Sequence, residues 1–323
     1  MTDLYPARPR IRLITDNDYG GDPDGLVQLA HTLLSPGVEV STVIGSHLRP
    51  GDPFDSSTVT ADRAAARAAE LVELCGRTGD VSVVAGSNSP LADHATPLPG
   101  AAAEAIIGQA MRDDTPLPLY VTCGGGLTDV ASAWLLEPRI AERLTLIWIG
   151  GREHEGLAEP PPGAPDLEYN TAIDPVAAQV VFNDSNLPVW QVPRNAYRTT
   201  MASRAELSLR MAPHGALGRH LFESLGSVAA MAAEHGLPLG ETYILGDTPL
   251  VLLTALQSAF EPAPASSSHV TMPCPRILDS GCYEPRRDGR PLRVYTHLDN
   301  RLVLEDLWAK LALNARSTEG ENT

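Results

Sequence analysis

Basic side chains are scarce: 24 Lys and Arg stand against 40 Asp and Glu in 323 residues, a net charge of −16. A surface that grips DNA or RNA must neutralise phosphates with clustered cations, so this balance excludes nucleic-acid polymers as partners. No window approaches 18 consecutive apolar residues, which excludes a membrane-spanning helix. The opening MTDLYPARPRIRLIT has neither an uninterrupted apolar region nor a small-residue cleavage site, so no secretory signal is expected. The four cysteines, Cys75, Cys123, Cys274 and Cys282, form no CxxC pair and read as reduced, mostly buried thiols in a cytoplasm. Neither a GxSxG nucleophile elbow nor a GxxxxGK(S/T) phosphate loop falls in a suitable place. Repeats, low-complexity blocks and convincing linkers are absent too.

What is present suits a globular fold: 43% hydrophobic and 20% charged residues, with 27 Gly and 28 Pro. At roughly 150 residues per domain the length allows two units, but α/β folds often exceed 250 residues as one, and a single domain over residues 1–323 with its core at about 11–313 is expected. Apolar runs predict strands at Ile11–Thr15, Val38–Gly45, Val81–Ala85, Leu119–Thr122, Leu144–Ile149, Pro188–Val192 and Leu292–His297. Helical spacing is carried by Leu26, Leu29, Ala30, Leu33 and Leu34, and by Thr60–Cys75, Ala101–Met111, Leu127–Leu136, Asp174–Phe182, Pro249–Leu256 and Arg301–Leu313, the last before a polar tail. Ser203–His235 reads as mainly helical, and the Pro-, Gly- and Glu-rich Arg152–Pro165 as a long loop on the ligand side. Strands alternating with helices imply a mostly parallel sheet covered on both faces, with ligands at the carboxyl ends of the strands.

The densest chemical signal follows the first strand. Asp16, Asp18, Asp22 and Asp24 put four carboxylates in nine residues. Left bare they would repel one another, and a hard divalent cation such as calcium, bound by six to eight oxygens, removes that repulsion. The alternative is a solvated acidic turn with Asp24 as a helix N-cap. Two further pieces sit at strand ends: Cys123-Gly124-Gly125-Gly126-Leu127-Thr128-Asp129, whose glycines let carbonyls approach a ligand, and Gly246-Asp247-Thr248-Pro249 ahead of an apolar helix. Each alone reads as a turn or a cap; together they offer one carbonyl and one carboxylate to the same ion.

These motifs, with Leu144–Gly151, Glu168-Tyr169-Asn170 and Asp174-Pro175, resemble the nucleoside hydrolase superfamily and its sugar-binding-like relatives in order and spacing, from Ile11 to about Leu313. The resemblance implies a Rossmann-like, mostly parallel α/β sheet and a calcium ion that holds the ribose hydroxyls and the attacking water. It implies Asp18 as general base and calcium ligand, Asp247 as the late calcium aspartate, a ligating carbonyl at Gly124, and Glu168 and Asn170 on the sugar hydroxyls. The expected activity is cleavage of the N-glycosidic bond of a ribonucleoside or related N-riboside to ribose and free base, in a homodimer or homotetramer. A metal-bound water beside a carboxylate base, and an oxocarbenium-like transition state among carboxylates, make that chemistry coherent.

Departures from the family pattern are equally plain. Its opening motif ends in two aspartates, where this chain has Asp24-Gly25, so one calcium carboxylate is missing and Asp22 is the candidate substitute; Asp24 is also expected at the substrate. An asparagine that touches ribose is Ser46 here, and a histidine that protonates a purine leaving group is replaced by Gly246. Base departure then needs another acid, a better leaving group, or slow hydrolysis; a pocket that has lost turnover and only binds is the competing reading. Of His47, His154, His214, His235 and His297, the first two lie after predicted strands and rank highest as acids. Tyr243, Trp148 and Trp190 are candidates to stack on a base, with core packing expected for the tryptophans.

Overall fold

The computed structural model describes residues 8–234, 236, 240–258 and 265–321, so His235 lies outside it. Twelve strands are described: β1 (Ile11–Asn17), β2 (Val38–Gly45), β3 (Ser82–Ala85), β4 (Leu119–Cys123), β5 (Leu144–Ile149), β6 (Val189–Val192), β7 (Met201–Ser203), β8 (Thr242–Ile244), β9 (Ser268–Pro273), β10 (Arg276–Ile277), β11 (Tyr283–Glu284) and β12 (Pro291–His297). The main sheet has eight strands in the order β3-β2-β1-β4-β5-β6-β12-β9, parallel throughout except for β9, which runs antiparallel along β12 at the edge. The expected α/β fold, a mostly parallel sheet between helices, is what forms.

The helices are α1 (Asp24–Leu33), α2 (Thr60–Leu74), α3 (Ala101–Ala110), α4 (Thr128–Leu136), α5 (Tyr169–Ile173), α6 (Pro175–Gln179), α7 (Arg194–Tyr197), α8 (Arg204–Arg210), α9 (Gly215–Glu234), α10 (Pro249–Leu252) and α11 (Asn300–Glu321). Side chains alternate across each strand. Leu13 therefore joins the core under α1, α2, α9, α10 and α11, while its neighbour Ile14 joins the core under α3, α4 and α6.

Several boundaries move for identifiable reasons. β1 runs two residues past the predicted Thr15 because Asp16 and Asn17 are buried and pair with Ile44 and Gly45. The Asp174–Phe182 helix breaks into α6 and a wide π turn at Val180–Asp184. Only Pro249–Leu252 of the helix predicted to Leu256 is helical, whereas α11 runs on to Glu321 through the expected polar tail. The strands β7 to β11 are short and half-exposed, and carry too little apolar pattern to be read from sequence.

Candidate active site

The carboxyl ends of β1, β4 and β5 meet the segment before α10. Asn17 closes β1, and the turn after it is fixed by Gly21 N donating to Asp18 O at 2.7 Å. Pro23 takes the N-cap position of α1 and makes no side-chain cap, so Asp24 is the first helical residue and not the cap. Its carboxylate is used elsewhere: Asp24 Oδ2 accepts from Asp247 N at 3.0 Å. Asp22 Oδ1 instead accepts from Asp24 N (3.2 Å) and from the Tyr243 hydroxyl (2.6 Å). Asn17 Nδ2 donates to Asp247 Oδ2 at 2.9 Å. Four aspartates are thus held by one turn, one helix start and one crossing strand end.

The opposite wall comes from α5. Glu168 is its N-cap; Oε2 accepts from Thr171 N (3.1 Å) and from Gly151 N (2.8 Å), and Oε1 accepts from the Tyr197 hydroxyl (2.8 Å). One nitrogen of Asn170, Nδ2, reaches two carbonyls, Gly124 O at 2.9 Å and Ile149 O at 2.8 Å. Because carbonyls only accept, both amide hydrogens are committed, and the Oδ1 acceptor is what Asn170 has left for a ligand.

Between these walls lies a cavity of about 280 Å³ lined by Asp18, Asp22, Asp24, Gly124, Glu168, Asn170 and Asp247, with Phe54, Ile149, Tyr169, Tyr197, Ile244 and Gly246 above them. No Lys, Arg or His is among the described lining residues. Burial, then the nearby charges of Asp247, Asp22 and Asp52, pushes Asp18 well above the ordinary carboxyl range. Asp24 is raised by burial and by Asp247 and Asp22, and Asp247, despite the Asn17 hydrogen bond, is raised by burial to about 7.

Other expectations need correcting. Ser46 is buried behind the cavity and does not line it: its N–H donates to Asn17 O at 2.9 Å, which holds it beside β1. His47 and His154 are not at the cavity either. The His47 ring nitrogens pair with Leu48 O (2.9 Å) and Thr128 Oγ1 (2.8 Å); His154 Nε2 pairs with Gln191 Oε1 (2.8 Å) and its ring stacks on Tyr283. Burial keeps both imidazoles below their usual pKa. Trp148 is core, its Nε1 donating to Gly125 O, and Trp190 lies under Arg293, packed edge-on to Tyr120 and Tyr295. Tyr243 reaches the site only through Asp22.

Position 25 does not face the cavity. A Cβ at Gly25 would point at Asn17, 3.0 Å from Nδ2, while Asp24 faces the cavity. A Cβ at Gly124 would overlap the same amide from the other side. Both glycines exist to admit Asn17, a residue that sequence reading passed over.

Asp52 was missed too, since one aspartate in a loop carries no pattern. It is buried, its Oδ1 accepts from Phe54 N (3.0 Å), and its Oδ2 accepts from the Tyr169 hydroxyl (2.9 Å) and Arg49 Nε (3.0 Å). It therefore fixes two aromatic walls of the cavity at once. Tyr197, likewise unforeseen, stands where a side chain at Gly246 would go: a Cβ there would lie 3.2 Å from Tyr197 Cδ2 and 3.3 Å from Asp24 Oδ2.

Among the described residues no three His, Cys, Asp or Glu side chains converge as a ready-made metal cluster. The donor chemistry nevertheless fits a hard divalent cation. Asp18, Asp24 and Asp247 are buried in one cavity with no basic side chain among its described lining residues, and their carboxylates are hard oxygen ligands.

Comparison with known proteins places the chain among relatives of one family and fold. The family model described as inosine-uridine preferring nucleoside hydrolase matches residues 13–261. A Leishmania major protein of the same description is 30% identical over 207 residues, covering 56% of this chain and 58% of that protein, so the match spans little more than half of the relative's length. In fold, the chain is similar to a plant nucleoside hydrolase (TM-score 0.66, 18% identity, 94% of this chain and 99% of that one). It is also similar to an inosine-uridine preferring nucleoside hydrolase from Bacillus anthracis (TM-score 0.65, 16% identity, 94% and 99%).

Proposed function

From the premise that the chain belongs to the inosine-uridine preferring nucleoside hydrolase family, we propose that it hydrolyses the N-glycosidic bond of a ribonucleoside or related N-riboside, with calcium as its metal. The observation that carries this reading is the meeting of Asp18 and Asp24 with Asp247, more than 220 residues away in sequence, in a cavity whose far wall is Glu168 and Asn170. Asp18, Asp24, Asp247 and the Gly124 carbonyl would hold the ion. When bound, calcium supplies charge neutralisation and a more acidic water.

The chain's own residues supply the remainder. Asp18 takes the proton of the attacking water. Asn170 Oδ1 accepts from one sugar hydroxyl, and Glu168 Oε1 retains capacity for another beyond Tyr197. The surrounding carboxylates favour the positive charge that develops on the ribosyl ring as the C1′–N bond stretches. Asp22, occupied by Tyr243 and the α1 backbone, holds the loop in place. Purified protein incubated with a panel of ribonucleosides, with and without EDTA, tests the reading. Free base released only without chelator supports it; tight calcium binding with no turnover on any substrate favours a binding protein instead.

A further inference from the structure

On this reading of the cavity, we propose that its preferred substrate carries a cationic base: a pyridinium N-riboside, whose ring nitrogen bonded to C1′ is quaternary. Among the described residues, the leaving-group end of the cavity holds no free proton donor. None of the described lining residues is a histidine, lysine, arginine or cysteine. The two phenols there already donate to carboxylates, Tyr169 to Asp52 at 2.9 Å and Tyr197 to Glu168 at 2.8 Å. Burial, joined by Asp18 and Asp52 at Tyr169 and by Glu168 at Tyr197, pushes both phenols far above their ordinary pKa, so each keeps its proton. Tyr197 also fills the space that a side chain at position 246 would enter. At the floor, Asp22, Asp24 and Asp247 are acceptors for Tyr243, a backbone N–H and Asn17.

A neutral purine or pyrimidine leaves poorly unless a proton reaches it, and general-acid help of that kind is worth about 10² to 10⁴ in rate. A pyridinium needs none. Its C1′–N bond breaks with the electron pair passing to nitrogen, which becomes neutral; water adds its oxygen to C1′ and gives one proton to Asp18. Recognition fits as well. Five carboxylates line the cavity, more than a divalent ion would offset, and Phe54, Tyr169 and Tyr197 present aromatic surface. Aromatic walls attract a quaternary nitrogen through their ring quadrupoles, and Asp52 fixes two of the three here.

The test compares kcat/KM of the calcium-loaded protein for nicotinamide riboside, as the pyridinium probe, with that for inosine and uridine. We expect the pyridinium riboside to be favoured by at least about 10²-fold, the lower end of what a missing acid costs the neutral substrates. Phe54→Leu should lower kcat/KM for the pyridinium riboside by about 3- to 30-fold, and lower it more than for inosine. Inosine or uridine cleaved as well as the pyridinium riboside, or Phe54→Leu affecting both equally, overturns the proposal while the hydrolase reading stands. No cleavage of any of the three overturns the hydrolase reading and the proposal with it.

Discussion

Asn17 Nδ2 sits 2.9 Å from Asp247 Oδ2, across 230 residues of sequence, and is the link that ties the first acidic turn to the last site carboxylate. Asn17→Asp replaces this donor with a second acceptor at nearly constant shape. Groups that orient metal ligands typically contribute about 10- to 100-fold, and a loss of that size is expected in both calcium affinity and kcat/KM. Calorimetry and steady-state kinetics measure the two; unchanged values in both would remove Asn17 from the machinery.

Asp18→Asn keeps the outline of the side chain and removes the proton acceptor. A fall in kcat of about 10² to 10⁴ is expected with no loss of thermal stability. Turnover near wild type would transfer the role of base to Asp22 or Asp24.

Gly25→Asp restores the family's usual second aspartate in sequence but not in space, because the new Cβ is aimed at Asn17. Were position 25 the place of a missing calcium carboxylate, this change would tighten calcium binding. The geometry instead gives a crowded core position, costing about 1–3 kcal/mol of stability, with no gain in affinity. Urea unfolding and calcium titration of the variant decide between the two.

Gly246→His places a side chain against Tyr197 and Asp24 and is expected to lose stability and activity together. Gly246→His with Tyr197→Thr should recover much of both, with a coupling of about 0.5–3 kcal/mol between the positions, and should raise cleavage of neutral nucleosides. Additive effects would mean that Tyr197 is not what demands glycine there.

His31 governs an acid limb of stability far from the site. It is fully buried, with Nε2 at 2.7 Å from Asp306 Oδ2 and no partner for Nδ1; burial lowers its pKa to about 4, outweighing the Asp306 hydrogen bond, and the charge of Lys310, which shares the Asp306 carboxylate, lowers it further. The unfolded chain binds the proton near pH 6.5 and the folded chain only near 4. Stability is therefore complete above 6.5 and falls by on the order of 3 kcal/mol as pH drops to 4. His31→Gln, which keeps a donor for Asp306 and cannot titrate, should flatten this limb in denaturant unfolding at pH 7 and pH 4.5.

The parts legible in the sequence were those with a strong local signal. Val38–Gly45 and Leu144–Ile149 are buried runs with sharp ends, and the structure keeps their limits unchanged. Asp18, Asp22, Asp24, Gly124, Glu168, Asn170 and Asp247 all reach the cavity because each follows a strand or opens a helix on its carboxyl side. What escaped was relational. Gly25 looked like a lost ligand until the direction of its Cβ was known, Ser46 is one layer too deep, and Asp52 earns its importance only from Phe54 and Tyr169, which nothing near it in sequence announces.

The span from Asn17 to Asp247 has a consequence for biosynthesis. At about 5–20 residues per second, roughly 10 to 50 s separate the emergence of the first acidic turn from that of its partner. During that interval the nascent chain can lay β1, β2 and β4 side by side, yet the amide of Asn17 has no carboxylate to hold and the α1 aspartate no backbone to receive. A chain halted before Asp247 therefore carries β1 to β6 of the main sheet, while neither Asn17 nor Asp24 has its partner.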